Sequence, residues 1–131
     1  MRTLKIFLPV VLMALLLAGC AATFTNLTPE IQERDAVNNQ YPVEVALDCS
    51  QQSLRWDSIR PRIIVGNQSY PMNPTPLMTN RWEGYIPVPP GRGVVRYHYK
   101  FDFDYNAFGK PQADSAVSPE YILRIKEKQV R

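Results

Sequence analysis

From Val95 to Tyr105 the chain alternates without a break. Val95, Tyr97, Tyr99, Phe101, Phe103 and Tyr105 form one set, and Arg96, His98, Lys100, Asp102 and Asp104 the other. Side chains of an extended strand point to opposite faces with a period of two, whereas a helix would spread these rings around its circumference. Eleven such residues therefore specify a long strand with one apolar and one polar face. Six large apolar side chains in a row must be covered by a second layer, because an exposed stripe of that size would drive association. The recurring phenols predict that one end of the row stays wet at its hydroxyls, leaving its outer part as a candidate binding platform.

The rest of the chain repeats the signal in shorter runs. From Tyr41, the residues Val43, Val45, Leu47 and Cys49 alternate with Glu44, Ala46 and Asp48. Arg62-Ile63-Ile64-Val65 is a second strand, and Gly66-Asn67 offers a turn into Ser69-Tyr70. Pro71, Pro74 and Pro76 then hold a loop open. Arg81 to Val88 and Tyr121 to Lys126 read as further strands. Of the 12 prolines, all but Pro9 lie beyond residue 20 and cluster between these runs, which argues against a helical bundle and marks loops. Short strands separated by turn chemistry predict an all-β, antiparallel sandwich of immunoglobulin-like type. No pair of cysteines spans its sheets.

A second segment sharpens the type. Trp82-Glu83-Gly84-Tyr85-Ile86-Pro87-Val88-Pro89-Pro90-Gly91, followed by Tyr97-His98-Tyr99-Lys100-Phe101, resembles the early-set immunoglobulin-like domains that accompany starch and glycogen enzymes. The resemblance implies an early-set sandwich and a capacity to stack sugar rings on exposed aromatics. Where such modules carry a tryptophan before a Pro-Met pair, this chain has Tyr70 before Pro71-Met72. The candidate platform is accordingly Trp56, Tyr70, Trp82, Tyr97 and Tyr99.

The N-terminus carries a different kind of information. Arg2 and Lys5 precede an apolar run from Ile6 to Ala18, about 13 residues, too short to span ~30 Å of hydrocarbon as a helix but suited to a secretion leader. Leu17-Ala18-Gly19-Cys20 resembles the bacterial lipobox. That resemblance implies a leader over 1–19, cleavage before Cys20, and acyl chains on Cys20. Acyl chains contribute ~0.8 kcal/mol per buried CH₂, and two or more give a firm anchor. Ala21, where aspartate would resemble an inner-membrane retention signal, implies the outer membrane in a host that has one. The expected organisation is a signal peptide over 1–19, a lipidated tether over 20–40 and the sandwich over 41–131. Within the tether, a short strand near Phe24 to Leu27 and a helical turn from Pro29 are both compatible with the residues.

Removing the leader changes the bookkeeping of charge and sulfur. The 15 Lys and Arg of the whole chain fall to 13 without Arg2 and Lys5, against 12 Asp and Glu. A near-neutral domain has no electrostatic case for nucleic acid. With Cys20 acylated, Cys49 is expected as a buried free thiol, or alternatively as one half of an intermolecular bridge.

Catalytic signatures do not assemble. His98 is the sole histidine, whereas zinc requires three or four convergent ligands. No Gly-x-Ser-x-Gly turn and no Gly-rich phosphate loop occurs. Asp102-x-Asp104-x-Asn106 opens like an EF-hand loop, but Ala107 occupies the glycine position and Ala113 that of the bidentate glutamate. The expectation is a non-enzymatic, membrane-tethered envelope lipoprotein without cofactor or metal, binding another envelope protein or, alternatively, a glycan.

Overall fold

The alternating row becomes the longest strand of the molecule. The computed structural model describes residues 22–50 and 53–128, so the expected leader and Cys20 lie outside the described residues. Ten strands follow in order: β1 (Ala22–Asn26), β2 (Ile31–Glu33), β3 (Gln40–Cys49), β4 (Leu54–Val65), β5 (Gln68–Pro71), β6 (Asn73–Pro74), β7 (Arg81–Pro87), β8 (Val94–Ala107), β9 (Lys110–Val117) and β10 (Tyr121–Lys126). Among the described residues there is no helix, and hence none long and apolar enough to cross a membrane.

Two sheets pack face to face. One has the order β1-β3-β7-β6, the other β2-β10-β8-β4-β5. β8 is long enough to carry two partners along one edge: β10 pairs with its start and β9 with its end, while β4 runs along the other edge. The inward set of β8 meets the inward set of β3. Tyr97, Tyr99 and Phe101 are fully buried from one sheet, as are Tyr41, Val43, Val45 and Leu47 from the other. Ile86, Ile63 and Leu123 complete the interior. Edge-to-face ring contacts lock the layers, with Phe101 5.2 Å from Phe24 and 5.1 Å from Trp82 between centroids.

The segment expected as a tether over 20–40 is different. From Ala22 onward it is part of the sandwich: β1 pairs with β3 from Ala22↔Cys49 to Asn26↔Val45, and β2 pairs with β10. The chain thus crosses from one sheet to the other between β1 and β2. Because it enters the second sheet by crossover, β2 runs parallel to β10, so that sheet is mixed where an antiparallel one is expected. No helical turn forms after Pro29.

The crossing is held by polar side chains against the phenols of β8. Asn26 Nδ2 donates to Tyr97 Oη at 2.9 Å, and Tyr99 Oη donates to Asn26 Oδ1 at 2.7 Å. Thr28 Oγ1 lies 3.2 Å from Tyr99 Oη and accepts from Glu44 N at 2.9 Å. Burial pushes the Tyr99 phenol well above its ordinary pKa, with the bond to Thr28 pulling the other way. The tyrosines are therefore core residues whose hydroxyls are satisfied within the protein.

The free thiol expected at Cys49 is corrected. Among the described residues there is no free cysteine, and Cys49 is disulfide-bonded. Cys49 is half-buried at the last position of β3, opposite Ala22, rather than packed in the core. A sulfur there is open to a second sulfur.

Candidate functional site

The five residues of the expected platform do not form one surface. Trp82 is 6% exposed and Tyr97 and Tyr99 are sealed in the core, so these three are corrected from ligand contacts to packing. They point inward because Trp82 opposes Val45 across β7 and β3, and because the apolar row of β8 faces the other sheet. Trp56 and Tyr70 remain accessible but line separate hollows. Tyr70 borders a cavity of about 420 Å³ with Glu83, Gly84 and Tyr85.

Trp56 sits at one end of the sandwich. It belongs to β4, which is irregular between Arg55 and Arg60. A bulge releases the strict inward–outward alternation, and Ser58 bridges the gap, accepting from Asp104 N at 2.8 Å through its hydroxyl. Trp56 is 42% exposed, and its ring lies 3° from parallel to that of Trp82 at a centroid distance of 6.3 Å. One face of the indole is thus directed at the core. Trp56 also borders a cavity of about 460 Å³ lined by Leu47, Asp48, Cys49, Thr79 and Asn80. Asn80 is tied to the end of β3, with Leu47 N donating to its carbonyl at 3.0 Å. This hollow offers an aromatic plane, one carboxylate and the Asn80 amide, a set suited to stacking and hydrogen bonding.

The polar face of β8 is an ion-paired lattice. Asp102 meets Arg62 at 2.8 Å and Asp104 meets Arg60 at 3.8 Å, both arginines coming from β4. His98 is half-buried opposite Ile64. Among the described residues no group of three or more His, Cys, Asp or Glu is placed to hold a metal ion.

A residue the sequence did not single out closes the opposite end. The Arg34 side chain is 9% exposed. Its Nη2 donates to Arg92 O at 2.6 Å and to Glu127 Oε1 at 2.9 Å, and its Nη1 reaches Tyr41 Oη at 3.4 Å. The pairing with Glu127 raises its pKa further, so it is charged throughout. A lone arginine in a polar stretch gives no sequence signal for this role.

No protein-family model matches this sequence, and no curated protein matches it. Among solved structures it is similar to a DUF4785 family protein from Legionella pneumophila, at 11% identity and a TM-score of 0.43. That likeness covers 79% of this chain, which spans 28% of the other.

Proposed function

We propose that the chain is a non-catalytic lipoprotein of the bacterial envelope. On this reading an immunoglobulin-like sandwich is held at a membrane by acyl chains on Cys20 and engages another envelope component there. The observation that carries the reading is the order of signals at the N-terminus: Arg2 and Lys5, the apolar run, then Leu17-Ala18-Gly19-Cys20. Strand β1 starts at Ala22, so a domain cut and acylated at Cys20 would begin almost at the lipid, with little intervening linker.

The test is Cys20→Ser, with palmitate labelling, fractionation and mass measurement of the N-terminal peptide without reduction. The proposal expects label and membrane association in the parent and loss of both in the variant. A thioether and a disulfide cannot share one sulfur, so on this reading the disulfide of Cys49 runs to a cysteine of another chain. Recovery of the Cys20 peptide joined to the Cys49 peptide, or an unlabelled parent that still pellets with membranes, overturns it.

A second reading is favoured by Trp56, whose half-exposed ring beside a polar hollow is the arrangement by which proteins stack a sugar. It places a glycan at Trp56 alone. Retention on a polysaccharide resin that Trp56→Ala abolishes supports it, and equal elution of parent and variant removes it.

A further inference from the structure

Phe108 and Leu77 are the two most exposed large apolar side chains among the described residues, at 105% and 103%. Both also have left-handed backbones, φ 54° and 65°, in a region that favours glycine and asparagine and is strained for bulky side chains. Neither gains packing from the protein in return. The angle of Phe108 is set by the two-residue hairpin turn it forms with Gly109 between Ala107 and Lys110; it is the placement of a bulky, fully exposed apolar side chain at such a position that points outward, to something the side chain touches.

Both stand at the same end of the sandwich as the start of the described chain. Ala22 pairs with Cys49, and Leu47 N bonds to Asn80 O, which fixes the loop carrying Leu77 beside that corner. The chain leaves Cys49 and re-enters at Ser53, whose carbonyl accepts from Asn106 N at 2.9 Å, two residues before Phe108. The β8–β9 hairpin then runs on past Leu54, which pairs with Tyr105, and turns at Phe108-Gly109. Two residues of extended chain span at most about 7 Å, so Cys20 cannot be far from Ala22. Val37, 86% exposed, lies at the opposite end, in the loop before β3.

We infer that this end of the sandwich is seated on the lipid bilayer, with Phe108 and Leu77 entering the interface beside the anchor. The inference rests on the acylation of Cys20 proposed above and adds an orientation to it. Side chains of this type partition into the boundary between headgroups and acyl chains, and a lipid at Cys20 would keep them there by removing the cost of a separate encounter. The anchor-proximal end then faces lipid, and the Arg34 end faces the aqueous phase.

The test uses the full-length, cell-processed protein in phosphatidylcholine vesicles containing a brominated lipid, which quenches tryptophan emission within the bilayer. In a Trp56→Phe background, Phe108→Trp and Val37→Trp are compared, with buried Trp82 as the internal reference. The mass of the N-terminal peptide establishes acylation in each sample. The expected result is a blue-shifted, strongly quenched emission for Phe108→Trp and an unquenched one for Val37→Trp. Acylated protein in which the two probes are quenched alike, or in which neither is, overturns the orientation and leaves the anchor standing. Protein without acyl chains overturns both. Leu77→Asp with Phe108→Asp, which disturbs no internal contact, should abolish the orientation while leaving palmitate labelling intact; unchanged protease accessibility of the Arg34 end and of the hairpin would count against it.

Discussion

Tyr99 Oη donates to Asn26 Oδ1 at 2.7 Å, joining residues 73 positions apart in sequence. The bond fastens the crossing between β1 and β2 to the central strand of the other sheet. Tyr99→Phe leaves Asn26 Oδ1 without this donor inside a largely covered site, and loss of such a bond costs about 1–3 kcal/mol. Asn26→Ala should cost somewhat more, because it also loses the bond to Tyr97, and the double variant less than the sum, because the two changes share one interaction. Urea midpoints of the three proteins measure this. A flexible tether would make Asn26→Ala neutral.

Burial of the same phenol should make the fold lose stability at high pH. Tyr99 is held neutral by burial, well above the ordinary phenol value, and Tyr121 is raised for the same reason. Above pH ~10 the unfolded chain releases protons that the folded chain retains. The folded state then binds more protons, so stability falls as pH rises, by up to about 1.4 kcal/mol per pH unit for each retained proton. Stability from this source is fully present below pH ~10. Denaturation midpoints between pH 9 and pH 11.5 should show the decline, with a shallower slope in Tyr99→Phe.

How much of this was legible depends on whether a strand announces itself by alternation. β3, β7, β8 and β10 did, because one face of each is buried and the pattern of two is enforced. β9 did not: Lys110-Pro111-Gln112-Ala113-Asp114-Ser115 is exposed throughout and is a strand only because β8 outruns β10 and offers an open edge. β4 was half-read, since the bulge between Arg55 and Arg60 breaks the period around Trp56. The aromatic row was read correctly as covered, but its phenols suggested water where the actual partners are Asn26 and Thr28. Those polar residues look like linker until the crossover brings them to Tyr99.

Gly84 is required by a close approach rather than by its backbone angle. A Cβ there would stand 2.9 Å from Ile63 Cδ1 and 3.0 Å from Pro71 O. The isoleucine methyl can shift, but the carbonyl belongs to β5 and can move only with its strand. Overpacking of this kind costs about 1–3 kcal/mol. Gly84→Ala should lower the thermal midpoint accordingly. A midpoint equal to the parent's would mean that β5 rides loosely over β7.

Trp56 and Trp82 stack in parallel yet should behave differently. Trp82→Ala opens a cavity in the core and should cost about 3–5 kcal/mol. Trp56→Ala removes a half-exposed ring and should cost well under half of that. Any loss of ligand retention in Trp82→Ala is therefore confounded with unfolding, whereas Trp56→Ala is a fair probe of the hollow. Equilibrium unfolding of both variants establishes the ratio before a binding experiment is interpreted.

Arg34 and Glu127 look like a simple ion pair, and their asymmetry argues otherwise. Glu127 is 68% exposed and should contribute little, as solvated carboxylates do. The guanidinium also holds Arg92 O, at 2.6 Å, and reaches Tyr41 Oη, so it clasps β2 to the loop before β8. A lysine ammonium is a single point and cannot reproduce that fork. Arg34→Lys should therefore lower the denaturation midpoint more than Glu127→Ala, although it preserves the charge. Hydrogen exchange should show faster opening at Ile125, whose amide bonds to Gly93 O beside the clasp. If Glu127→Ala is the more damaging change, the ion pair rather than the fork holds this end closed.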